Sequence, residues 1–302
     1  MPTTVTIEEV PVPDRESGPY ALACGPDGAL WCTLVHAGRI GRLSLPGREF
    51  TSHVLDTEAA GPTVITAGPD GALWFSRTHD HRIGRIEVDG RATGFALPTP
   101  DAAPYGITAG PDGALWFTET TADRIGRITT SGEVTEFPLP VTGAFPSVIT
   151  AGPDGALWCA LNQADAVARI TTAGEITLVP LPTKGAAPVG IAADPHGDAL
   201  WLTEIGAGAL ARVSTSGQVT EHPLPDAASR PHAVIVDAGG ACWFTEWGAG
   251  RVGRLAADGT LTEHDLPDPS CEPHGLVQGP DGAIWTALET GALARITEHP
   301  PE

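Results

Sequence analysis

One short string returns throughout this chain, and the interval between its returns limits the available folds more than any other feature. Gly-Pro-Asp-Gly-Ala-Leu-Trp ends at Trp31, Trp74, Trp116 and Trp158. It loosens to Asp194-Pro195-His196-Gly197-Asp198-Ala199-Leu200-Trp201 and to Asp237-Ala238-Gly239-Gly240-Ala241-Cys242-Trp243, then returns with Ile284 before Trp285. Successive tryptophans stand 42 or 43 residues apart. A unit of that length cannot bury a core alone, so seven of them must stack in an array or close into a ring.

The third unit shows the internal pattern most clearly. Tyr105 to Ala109 reads as a strand, and Gly110-Pro111-Asp112-Gly113 as a tight turn in which Pro presets φ and Gly supplies φ > 0. Ala114 to Thr118, Arg124 to Ile128 and Val134 to Phe137 follow as further strands, the last stopped by Pro138-Leu139-Pro140. Four short antiparallel strands per unit make a propeller blade. Gly 37, Pro 29 and Trp 8 in 302 residues agree with short strands and many turns.

The seventh unit runs through Arg295-Ile296-Thr297 to Glu298-His299-Pro300-Pro301-Glu302, leaving no stretch for a fourth strand. Near the other end, Ile7-Glu8-Glu9-Val10-Pro11-Val12-Pro13 matches the pattern of residues 134–140. The expected fold is an all-β, seven-bladed propeller forming one domain over residues 1–302. Its ring is closed by the N-terminal strand completing the last blade, which removes an open sheet edge.

Charge and cysteine usage narrow the function classes. Lys+Arg 17 against Asp+Glu 37 gives −20, a field that repels nucleic-acid phosphates and anionic lipid surfaces. The N-terminus carries no basic region followed by an apolar run, and no stretch reaches the roughly 18 apolar residues that a spanning helix needs. A soluble, cytoplasmic monomer is expected. Five cysteines, odd in number and without a CxxC pair, point to free thiols rather than a disulfide framework.

Residues present in every blade belong to packing, since one site cannot need them seven times. That removes the seven repeat tryptophans and the third-strand arginines Arg42, Arg85, Arg127, Arg169, Arg212, Arg254 and Arg295. The informative residues break the repeat. At the start of the innermost strand the blades carry Tyr20, Thr63, Tyr105, Ser147, Val189, His232 and His274. Four residues past each tryptophan they carry Val35, Thr78, Thr120, Asn162, Ile205, Trp247 and Glu289. Both series place their exceptions on the last two blades, at one mouth of the ring.

If the turn is centred between Asp281 and Gly282, His274 pairs with Glu289 across the hairpin, and Glu272 stands two residues upstream. Any one polar rim residue is more often plain solvated surface. His232, Glu272, His274 and Glu289 converging beside Trp247 are not well explained that way. Two carboxylates with imidazole suit a divalent cation, Mg²⁺ if the donors are oxygens and Zn²⁺ or Mn²⁺ if His takes part. Alternatively a histidine acts as general base. Glu119, Glu204 and Glu246 recur too regularly to be specific, although Glu246 is near enough to join the rim. His79-Asp80-His81 reads as a solvated loop. His36, His53, His196, His222, His264 and His299 suggest no site.

Ile-Thr-Ala-Gly-Pro-Asp-Gly-Ala-Leu-Trp-Phe-Thr-Glu repeats, with Arg-Pro-His-Ala at 230–233, Trp-Phe-Thr-Glu-Trp-Gly at 243–248 and Glu-Pro-His-Gly at 272–275, resemble the virginiamycin B lyase family, also called streptogramin B lyases. The resemblance spans essentially the whole chain, and the late motifs are its most specific part. It implies a propeller that linearises cyclic depsipeptides of the streptogramin B type, opening the ring ester by elimination with Mg²⁺. Carried over, it makes His274 the general acid or base, Glu272 and Glu289 the carboxylates associated with Mg²⁺, and His232 a substrate contact. Tyr20 and Trp247 resemble aromatic contacts to the macrocycle. Aligned by count from His274 rather than by Trp285, Leu288 would take the place of Glu289. A metal-dependent lactonase or esterase, and a non-catalytic binding platform, are the alternatives on the same scaffold.

Overall fold

The computed structural model describes residues 4–299; Met1 to Thr3 and Pro300 to Glu302 lie outside the described residues. Its strands form seven four-stranded antiparallel sheets, each one blade. Blade 1 comprises Pro19–Cys24, Leu30–Leu34, Arg39–Ser44 and Glu49–Val54, and the pattern recurs around the ring. In blade 7, Pro273–Gln278, Ile284–Leu288 and Ala292–His299 are completed by Thr4–Pro11, which pairs with the last strand from Thr4 opposite His299 to Pro11 opposite Ala292. The expected closure is therefore observed. Innermost strands of successive blades touch in order, and that of blade 7 touches that of blade 1.

The repeat string is legible as a small machine for holding a hairpin. In blades 1, 2, 3, 4 and 7 the turn aspartate accepts from the tryptophan Nε1 through one oxygen and from the third-strand arginine Nε through the other. For Asp112 the distances are 3.0 Å to Trp116 and 2.6 Å to Arg127. The turn, second strand and third strand are thereby tied together. Six of the seven repeat tryptophans are fully buried between blades; Trp201, behind the lengthened turn at Asp194, is only partly so. At that turn Arg212 finds only Asp198, at 3.7 Å. Both residue sets are scaffold.

All five cysteines are free thiols, four of them buried. Among the described residues, no helix is long and apolar enough to cross a membrane.

Candidate active site

Each innermost strand opens with a proline, and the residue before that proline is left-handed in all seven blades: Gly18, Gly61, Ala103, Phe145, Ala187, Arg230 and Glu272. At Glu272, φ is 48°. That conformation costs a non-glycine residue about 1–2 kcal/mol. Immediately after the proline the strand leaves register. Pro273 pairs with Leu288 and Leu276 with Thr286, so His274 and Gly275 face Ala287 alone. This is a β-bulge, which re-aims a side chain out of the ladder. The bulge residues are the strand-start series, including Tyr20, Tyr105, His232 and His274. Gly275 is required where the bulge approaches blade 1, since a Cβ there would lie 2.8 Å from the Ala21 Cα.

In five blades a hydroxyl two residues past the tryptophan (Thr33, Ser76, Thr118, Thr203, Thr245) ties its bulge to the next, while blades 4 and 7 carry Ala160 and Ala287 there. Thr245 Oγ1 accepts from Ala233 N at 2.9 Å and donates to the His274 carbonyl at 3.0 Å. Thr203 likewise donates to the His232 carbonyl at 2.8 Å.

The hairpin arithmetic needs correction. The turn closes from Gly279 N to Ala283 O at 2.8 Å, centred on Asp281, and the bulge adds a further offset, so Glu289 is not the ladder partner of His274. The two side chains nevertheless meet, His274 Nε2 lying 2.5 Å from Glu289 Oε2. Leu288 is fully buried in the core, leaving Glu289 as the carboxylate that reaches the mouth.

The remaining residues gather around His274. Its ring centroid is 4.3 Å from Tyr20, 4.9 Å from His232 in an edge-on arrangement, and 6.4 Å from Trp247. Glu272 completes a group with His274 and Glu289 whose possible ligand atoms lie within 4.8 Å of one another. The hydrogen bond from His274 holds the Glu289 carboxyl below its usual range against the opposing effect of burial. Burial, with His274 adding to it, pushes the His232 imidazole down to about 3, so that ring is neutral at physiological pH. Nδ1 of His274, Nδ1 of His232 and Nε1 of Trp247 are all buried without a hydrogen-bond partner.

Two residues that the repeat comparison did not single out join the group, and one of them, His36, corrects the expectation that it marks no site. Tyr105 reaches across from blade 3, its hydroxyl 2.6 Å from that of Tyr20. His36, on blade 1, places Nε2 3.0 Å from Glu289 Oε1. Tyr105 stood in the strand-start series but matched Tyr20 too closely to be an exception. His36 could be found only by knowing that the residue five past a tryptophan reaches over the preceding blade. Glu246, by contrast, lies near Arg251 and Glu263 and does not join the rim. In the His79-Asp80-His81 loop, Asp80 accepts from buried Arg77 and His81 Nδ1 accepts from Ala103 N.

The virginiamycin B lyase family model matches residues 5–296. The chain belongs to the virginiamycin B lyase family. A solved streptogramin B lyase superposes with a TM-score of 0.94 at 37% identity, covering 98% of each chain. A catalytically inactive histidine-to-alanine form of the Staphylococcus aureus virginiamycin B lyase, solved with quinupristin, gives 0.93 at 39% identity over 97% of this chain and 99% of that one. The Saccharopolyspora erythraea virginiamycin B lyase is 58% identical over 56 residues, a match spanning 18% of this chain and 18% of that protein. As a member of the virginiamycin B lyase family, the chain is read as a lyase.

The donor set fits a hard divalent cation. Among the described residues, the Glu272 carboxylate makes no hydrogen bond or ion pair, although it stands beside a second carboxylate. Each oxygen of Glu289 keeps a lone pair after accepting from imidazole.

Proposed function

We propose that this protein linearises cyclic depsipeptides of the streptogramin B type by elimination at the ring ester. The observation that carries the reading is the pair of environments around the His274 ring. With Nε2–H donated to Glu289, the lone pair lies on Nδ1, which is buried and unpartnered at the mouth. An imidazole so held, with its lone pair on Nδ1, can act as a general base.

In the elimination His274 Nδ1 takes the proton on the carbon α to a carbonyl. The electron pair of that C–H bond becomes the new carbon–carbon double bond. The bond from the β carbon to the ester oxygen breaks, and the carboxylate leaves without consuming water. Glu289 stabilises the imidazolium that forms. Neutral His232 offers a hydrogen bond to substrate, and Tyr20 and Trp247 offer flat apolar faces. Glu272 and Glu289 would hold Mg²⁺, which supplies charge stabilisation at carbonyl oxygens.

Shape supports the same substrate class. The channel below the bulges has a volume of about 290 Å³, lined by Tyr20, Tyr105, Ile65, Val148, Ile191 and His232 among others. That is at the small end for a drug-sized ligand. A macrocycle too large for that channel would lie across the mouth above it, with its ester at His274.

Mass spectrometry of quinupristin incubated with the protein, with and without chelator, tests the proposal. A linear product of unchanged mass is expected, formed only when Mg²⁺ is available. A product heavier by one water would replace elimination with hydrolysis, and no product at all would leave a binding platform.

A further inference from the structure

Glu289 is held from two sides. Its Oε2 meets His274 Nε2, and its Oε1 lies 3.0 Å from Nε2 of His36, which belongs to the neighbouring blade. We propose that His36 is a positioning residue that fixes the Glu289 carboxylate against His274 across the junction of the first and last blades. This rests on the roles of Glu289 and His274 given above.

The physical case begins with freedom. A glutamate side chain has three torsions, and a single hydrogen bond leaves the carboxylate able to swing about that contact. A second donor on the other oxygen fixes the carboxylate plane and hence the direction in which Oε2 accepts. His36 can do this only if its own ring is fixed, since its side chain is 51% exposed while that of His274 is 8% exposed.

Gly18 supplies the fixing. A Cβ at Gly18 would lie 2.6 Å from His36 Nδ1, so the ring occupies the space that any side chain at 18 would need. Gly18 is the blade 1 counterpart of Glu272. Below it, His36 N donates to Ser17 O at 3.1 Å.

Blade 2 contains an internal control. His79 stands in the same place, its ring against Gly61, where a Cβ would lie 2.3 Å from Nδ1, and its N donates to Ala60 O at 3.3 Å. The residue that would face His79 as Glu289 faces His36 is Val35. Among the described residues the His79 ring has no carboxylate partner. Histidine over glycine is thus a packing device that both blades share, and the carboxylate contact is what His36 adds.

The test compares His36→Ala, His36→Gln and His79→Ala in the full chain, using quinupristin and Mg²⁺. His36→Ala is expected to lower kcat about tenfold to hundredfold, the usual loss when a partner of a site carboxylate is removed, with KM little changed. His36→Gln, whose amide N–H can still donate to Oε1, should recover most of that rate. His79→Ala should match the parent.

A second readout does not depend on turnover. The His274 Nε2 proton, assigned in NMR spectra by its loss in His274→Ala, should be visible in the parent, in His36→Gln and in His79→Ala, but broadened or lost in His36→Ala. Unchanged kcat with the resonance intact in His36→Ala would overturn the proposal, as would an equal loss in His79→Ala. If the parent does not turn over quinupristin, the functional reading fails, and the resonance comparison still decides the role of His36.

Discussion

Burying Nδ1 of His274 without a partner costs about 1–3 kcal/mol, and the same applies to Nδ1 of His232 and Nε1 of Trp247. Three such atoms at one mouth are what a fold tolerates where a ligand completes them. Replacing His274 by alanine removes one of these burdens together with the proposed base. His274→Ala is therefore expected to lower kcat by about 10² to 10⁴ while leaving the melting temperature equal or higher, measured by quinupristin turnover and by thermal melts. A residue whose role was only structural would lower both. His232, Glu272, His274, Glu289 and Trp247 were legible because each departs from a repeat that fixes what its blade-mates carry. His36 was not legible, because its partner lies on the blade before it, some 250 positions away in the chain.

The bulge is the element that turns a repeated strand into a site, and the threonine behind it is what keeps it in place. Thr245 accepts from Ala233 N and donates to the His274 carbonyl, and it is fully buried. Thr245→Val keeps the shape and leaves both backbone groups unsatisfied, at a cost of about 1–3 kcal/mol for such a loss. The expected outcome is a lowered unfolding midpoint in urea together with a reduced kcat, because the His274 backbone is no longer anchored. Thr245→Ser should restore both. The hairpins themselves were readable from Gly-Pro-Asp-Gly and alternating apolar residues, but the bulge was not. Register shifts of one residue depend on how blades meet, here the close approach of Gly275 to Ala21, and no local pattern records that.

At the scale of the ring, three blades carry a glutamate at the end of the second strand with both carboxyl oxygens buried and without a hydrogen-bond partner: Glu119, Glu204 and Glu246. Burial raises Glu119 to about 8, helped by Glu136 and opposed by Arg124. It raises Glu204 to about 7, with Glu221 and Asp165 adding to it. It also raises Glu246 to about 7, with Ser229 and Arg251 opposing and Glu263 adding. A carboxyl with a raised folded value stabilises most below its unfolded value of 4.5, and that contribution is lost as pH rises through 7 to 8. His232, His53 and His264 are lowered from 6.5, so their contribution grows up to that pH and is flat above it. Between pH 6.5 and 8.5 only the glutamates among these groups shift the balance. A variant with all three changed to glutamine is therefore expected to melt higher than the parent at pH 8.5 and close to it at pH 5. Equal slopes in both proteins would refute this. The seven-fold plan was the most legible feature of the chain, since it needs only a count of tryptophans. The buried glutamates were also visible, but a recurring polar residue gives no sign of whether water reaches it.

The strand Thr4–Pro11 and the strand Ala292–His299 lie side by side in the blade that also carries Glu272, His274 and Glu289. During synthesis the first of these emerges long before its partner exists. The blade bearing the proposed chemistry is thus the last whose strands are all available, and it requires contact between residues almost 300 positions apart. Loop-closure entropy for so long a segment grows only logarithmically with its length, so the cost falls on the rate of folding more than on final stability. A chain that stopped short of its last strand would leave Thr4–Pro11 without its partner and the blade bearing the proposed site unfinished. Activity therefore reports on the integrity of the whole polypeptide.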